Sequence, residues 1–182
     1  MHPKPTSAEI HAAYGQTVPD VIAPNLRVLF CGINPSLYSA AVGHHFARPG
    51  NRFWRSLHAA GFTDRCYSPF EDQSLLELGY GLTNIVPHAT ARADELKPEA
   101  LIEGQRQLMT TLQTYQPQVL AVLGISAYRV AFNRPKAVIG DQHEQWHQTM
   151  IWVLPNPSGL NAHYQLNDLQ RVYSELFTAI FI

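Results

Sequence analysis

Three runs of this chain, "RVLFCG" at 27–32, "QVLAVLG" at 118–124 and "TMIWVLP" at 149–155, are apolar almost without interruption and end on glycine or proline. A strand with one wet face alternates apolar and polar residues, so short unbroken runs mark strands covered on both faces. "GLTNIV" at 81–86 reads as a further strand. The stretches between carry helical signals. "NRFWRSLHAAGF" offers Asn51 as a cap and Gly61 as a stop, and "EDQSLLELGYG" reads as a short helix. After Lys97, Pro98 suits a first helical turn, while Leu101, Gln105, Leu108, Met109 and Leu112 share one face. "ISAYRVAF" is a short helix, and "LNDLQRVYSELFTAI" closes the chain with Leu166, Leu169, Val172, Tyr173 and Leu176 inward. Strands alternating with helices predict an α/β fold: three α/β/α layers around a mostly parallel sheet of four to five strands.

Residues 1–25 have little apolar rhythm beyond "AEIHAAY" and read as an N-terminal arm with one short helix. Residues 26–182 then form one domain, long enough to bury a core without disulfides or metals. Two cysteines, Cys31 and Cys66, are too few for a four-thiolate cluster or a secreted disulfide framework. No apolar run approaches the roughly 20 residues of a membrane span, and the opening residues lack the order of a signal peptide. A cytoplasmic monomer is the expectation. A net charge of −1 gives no general pull toward nucleic acid, which leaves Arg48, Arg52, Arg129, Arg134 and Lys136 as candidates for a local basic patch.

"GINPS", "VPHAT", "GISAY" and "NPSGL" each follow a strand, and in an open α/β sheet such loops line the ligand crevice. Asn34 precedes Pro35, which holds its backbone extended. An amide accepts and donates without titrating, so it suits holding a water or reading a base edge; equally, it could serve a turn by satisfying nearby backbone. "LPNPSGLN" repeats Asn-Pro at 156–157 and adds Gly159-Leu160. Leu160 sits off any periodic apolar face, as either a wedge for stacked bases or a partly buried loop leucine.

"VLFCGINPS", "FARPGNRFW", "YQPQVLAVLG" and "IWVLPNPSGL", in this order, resemble the mismatch-specific uracil/thymine-DNA glycosylase family of the uracil-DNA glycosylase superfamily, over about residues 22–178. The resemblance implies a monofunctional glycosylase in base excision repair, free of cofactor and metal. It would flip and excise uracil, or thymine and modified pyrimidines, from mismatched duplex DNA, chiefly opposite guanine. By that resemblance Asn34 positions the hydrolytic water, Phe46 stacks on the flipped base, and the backbone at Ile33 and Phe46 reads the pyrimidine edge. Asn156, Ser158 and Gly159 lie on the loop that enters DNA, and Leu160 fills the vacated space.

The chain departs from the family pattern in three places. Ser36 replaces a glycine and is expected to narrow the pocket near pyrimidine C5, while "GLNA" puts Asn161 and Ala162 where an arginine is usual. Asp94, in "IVPHATARADEL", is expected in the same crevice, as a carboxylate supporting oxocarbenium character and water activation or as a helix cap. "HEQWH" at 143–147 matches a zinc-hydrolase pattern, but too few residues precede the next strand for the helix that pattern needs, so it reads as a loop or hairpin. A non-catalytic nucleic-acid or nucleotide binder on the same fold is the competing class.

Overall fold

The computed structural model describes residues 2–182. Strands β1 (Val28–Gly32), β2 (Tyr80–Asn84), β3 (Val119–Leu123), β4 (Gly140–Trp146) and β5 (Thr149–Leu154) form one sheet in the order β2-β1-β3-β5-β4. The first four in that order run parallel; β4 is an antiparallel edge hairpin on β5. Every residue of β1 and β3 is buried, as unbroken apolar runs require.

Alternate side chains feed two cores, one on each face of the sheet. Phe30, Leu82, Ala121 and Leu154 pack with α3 (Phe53–Ala59) and α6 (Leu166–Phe181). Leu29, Cys31, Leu120, Val122 and Val153 pack with α4 (Pro98–Tyr115) and α5 (Ile125–Ala131). The expected α/β/α layering is thus the observed one. On α4 the predicted face is buried at Leu101, Leu108, Met109 and Leu112, with Gln105 half-buried at its margin. On α6, Leu169, Val172, Tyr173 and Leu176 are buried and Leu166 half-buried.

Two elements differ from the sequence reading. Between β1 and α3, where the sequence reading places no helix, lies α2 (Leu37–Val42), capped by the Ser36 hydroxyl, which accepts from the Ser39 N–H, and ended by Gly43 at φ 76°. Of "EDQSLLELGYG", residues 71–78 lie in a 3₁₀ segment, Pro69–Leu78, rather than an α-helix, and Tyr80-Gly81 already belong to β2. Within residues 2–25 the expected short helix is α1 (Ser7–Ala12). Val21 is buried and exchanges two backbone hydrogen bonds with Leu82, at 2.9 and 2.8 Å, along the outer edge of β2.

After β1 the chain turns toward β2, whereas after β3 it leads toward β5 on the opposite side. Loops leaving neighbouring strands in opposite directions open a crevice above their carboxyl ends.

Candidate active site

That crevice holds a pocket lined by residues 32–36, Phe46, Asn84, residues 90–93, and Asn156, Ser158 and Leu160. Three of the four expected loops therefore converge. The fourth, "GISAY", borders an adjoining groove together with Asp94, Asn161, His163 and Tyr164.

Asn34 leaves the end of β1 half-buried, and its amide is pinned. Nδ2 donates to the His88 carbonyl at 3.0 Å and to Thr90 Oγ1 at 2.8 Å, while Thr90 Oγ1 donates onward to the Arg92 carbonyl at 2.7 Å. Both amino protons are committed, which leaves Oδ1 as an acceptor with no donor among the described residues. A carbonyl-type oxygen fixed this way can hold one proton of a water and aim the water's lone pair into the pocket.

Phe46 is half-buried in the left-handed region, φ 54°, which is unusual for a bulky residue and marks a locally imposed conformation. Its ring stacks on buried Phe53 with centroids 4.2 Å apart, so the free face has a rigid backing. Gly32 makes room for it, since a Cβ there would lie 3.2 Å from the Phe46 ring and 2.6 Å from Asn84 Oδ1. No described residue accepts from the N–H of Ile33 or Phe46.

Asn84, at the end of β2, is a pocket residue that the sequence reading missed. Its Nδ2 lies 3.4 Å from Nδ1 of buried His45, and His45 Nε2 donates to the Pro19 carbonyl at 2.9 Å. Burial holds the His45 ring below its ordinary pKa, so it stays neutral and Nδ1 accepts from Asn84. The only hint in the sequence is an uncharged amide ending an apolar run, the same signature as Asn34.

Leu160 projects from the loop after β5 and is 66% exposed. Beneath it the Ser158 N–H donates to Asn156 Oδ1, the Leu160 N–H to Ser158 Oγ, and Asn161 Nδ2 to the Asn156 carbonyl. Arg52 ties this loop to the body of the protein. Its buried guanidinium donates to the carbonyls of Pro157 (3.3 Å), Ser158 (2.5 Å), Asn161 (3.1 Å) and Tyr164. The Arg52 N–H adds a bond to Pro157 at 3.0 Å. Gly159 passes so close that a Cβ would sit 2.9 Å from the Gly50 carbonyl oxygen. Arg52 is therefore an internal clamp and not the surface phosphate contact considered from sequence. Arg129 likewise donates to Ala137, and Arg134 pairs with Glu144, whereas Arg48 is exposed at the pocket.

Ser36 lines the pocket with its hydroxyl committed to Ser39. Asp94 is not brought into the pocket with Asn34. It sits in a 3₁₀ turn, exposed and paired with Arg92 at 2.6 and 3.1 Å, and faces the adjoining groove. "HEQWH" runs along the extended edge strand β4 into its turn, so its two histidines do not share a helical face.

These features define a crevice site at the carboxyl ends of parallel strands, in which a held water can meet a stacked planar ring. Residues 19–177 match the model of the uracil DNA glycosylase superfamily, and the chain belongs to that superfamily. It is thus a DNA glycosylase in the broad sense, a hydrolase of the DNA-repair class acting on DNA. The fold is similar to the solution NMR structure of a candidate uracil DNA glycosylase from Methanosarcina acetivorans, with a TM-score of 0.59 and 19% identity over 90% of this chain and 98% of that one.

Proposed function

We propose that this glycosylase excises uracil from duplex DNA, chiefly opposite guanine, leaving an abasic site without cutting the strand. The observation that carries the reading is the pinned Asn34 amide beside a backed aromatic face, below an exposed leucine on a clamped loop. An enzyme that acts on a base must first take it out of the stack, at a cost of a few kcal/mol. Leu160 would occupy the space left behind, and Phe46 would stack on the extruded pyrimidine.

As the C1′–N1 bond breaks, its electron pair moves onto the base and C1′ gains oxocarbenium character. Asn34 Oδ1 holds the water whose oxygen forms the new bond to C1′, and the water's proton leaves to solvent or to the departing base. Because bond breaking leads, a strong general base is not needed, which fits a neutral amide. The Asn84 amide and the N–H groups of Ile33 and Phe46 are suited to read the pyrimidine edge and to stabilise the negative charge growing on its oxygens. Ser36, held by Ser39, would crowd a C5 methyl, so thymine is the poorer substrate. No lysine lines the pocket among the described residues, consistent with direct hydrolysis in place of a Schiff base.

Single-turnover release from end-labelled duplexes tests the reading, with chelator present and alkali added only after the reaction. The substrates are uracil or thymine opposite guanine, uracil opposite adenine, and single-stranded uracil. The expected result is alkali-dependent cleavage, fastest at uracil opposite guanine, and slowed about 100-fold by Asn34→Ala, the usual scale for losing one positioned catalytic group. Tight binding with no abasic product would overturn it in favour of a non-catalytic binder.

A further inference from the structure

The family match begins at residue 19, yet the residues before it touch the site. Beyond α1, the chain pairs with the loop that follows β2. The Gly15 N–H donates to the Ala89 carbonyl at 2.9 Å, the Ala89 N–H to the Gln16 carbonyl at 2.8 Å, and His88 Nδ1 to the Gly15 carbonyl at 3.1 Å. Thr17 bridges to His88 in the same antiparallel sense. Under these bonds Ala13, Val18, Ala40 and Ala89 form a small separate core, with Leu37 and Ala41 of α2 packed against it. Val18 is also a wall of the pocket.

The braced loop is the one that supplies both acceptors of the Asn34 amide, the His88 carbonyl and the Thr90 hydroxyl. Residues 13–18 thus lie one bond away from the group that aims Oδ1. We propose that the segment 13–18 is a positioning element for the reaction, bracing residues 88–90 so that the Asn34 amide keeps one orientation. This rests on the role given to Asn34 above. If the brace loosens, the amide can rotate and exchange its donor and acceptor, and the water loses its seat. The base-stacking ring and Leu160 are held from elsewhere, by Phe53 and Arg52, so these two binding contacts do not depend on the segment, whose one wall residue in the pocket is Val18.

Gly15→Pro in the full chain tests the proposal. Gly15 has φ 76°, which proline cannot adopt, and the substitution removes the N–H that bonds Ala89. The expected result is a fall of about tenfold in kcat, with KM for the uracil duplex within about twofold, as for a reacting group slightly misplaced. Nuclear magnetic resonance of the Asn34 side-chain amide, assigned by its loss in Asn34→Asp, gives a readout that does not depend on turnover. In the variant its protons exchange with water at least about tenfold faster than in the wild type. Should Gly15→Pro fail to fold, His88→Ala, which deletes only the ring bond to Gly15, carries the same comparison with a smaller change. Unchanged amide exchange and kcat alongside a lowered melting temperature would overturn the proposal and leave the segment a stabiliser only. If the wild type releases no base, the functional reading fails, while the amide exchange still decides whether the segment braces Asn34.

Discussion

Individual side chains in the pocket divide by what already occupies their hydrogen-bonding groups. Asn34 has spent its donors and keeps an acceptor. Asp94 accepts from Arg92 through both oxygens, outside the pocket. Asp94→Asn should therefore leave the single-turnover rate within about twofold, since an exposed ion pair contributes little; a loss comparable with that of Asn34→Ala would restore the carboxylate as a catalytic group. His45 makes a second residue-level prediction. Its pKa is depressed from 6.5 by burial, so the unfolded chain takes up a proton first as pH falls. The neutral ring's contribution to stability is complete above that value and is lost progressively below it. Its slope is at most about 1.4 kcal/mol per pH unit. Melting curves between about pH 7 and pH 5 should show a steeper loss in wild type than in His45→Gln, and parallel losses would contradict the neutral assignment.

Elements explain why some of this was readable in the sequence and some was not. β1, β3 and β5 announce themselves because a strand buried on both faces needs an unbroken apolar run, and α4 because its inward face repeats at helical spacing. The loop after β1 hid α2, a helix of six residues too short to show a period; only its end signals, Ser36 and Gly43, were present. The Asn34 and Leu160 loops were legible because Asn-Pro and Gly-Leu break the pattern at strand ends. Asn84 and Arg52 were not, since their roles depend on partners far along the chain, Pro157–Tyr164 for Arg52 and His45 for Asn84. The loop carrying Leu160 makes its own prediction. Gly159→Ala places a methyl 2.9 Å from a backbone oxygen that cannot swing away, so the loop must lift from residue 50. Uracil release from duplex should fall by about tenfold or more relative to release from single strand, which needs no wedge. An unchanged ratio would show that the close approach does not matter.

For the molecule as a whole, residues 13–21 pack against the rest of the chain. Val21 completes the outer edge of β2 and contributes to the larger core, while Ala13 and Val18 seal the smaller one. Val21→Asp should lower the midpoint of a single unfolding transition, at a cost of about 2–4 kcal/mol for a charge placed in a packed site; calorimetry showing an unshifted main transition would mean that the segment folds apart. Arg52 has a consequence on the same scale. It is surrounded by peptide oxygens, and no carboxylate among the described residues pairs with it. Carbonyl dipoles solvate a cation without cancelling it. A chain whose formal charge is −1 thus keeps a permanent positive source under the one loop that would meet a polyanion. On a bound duplex its field would draw phosphate in at low salt and fade as the screening length shortens, so that long-range attraction and loop rigidity would come from the same buried side chain.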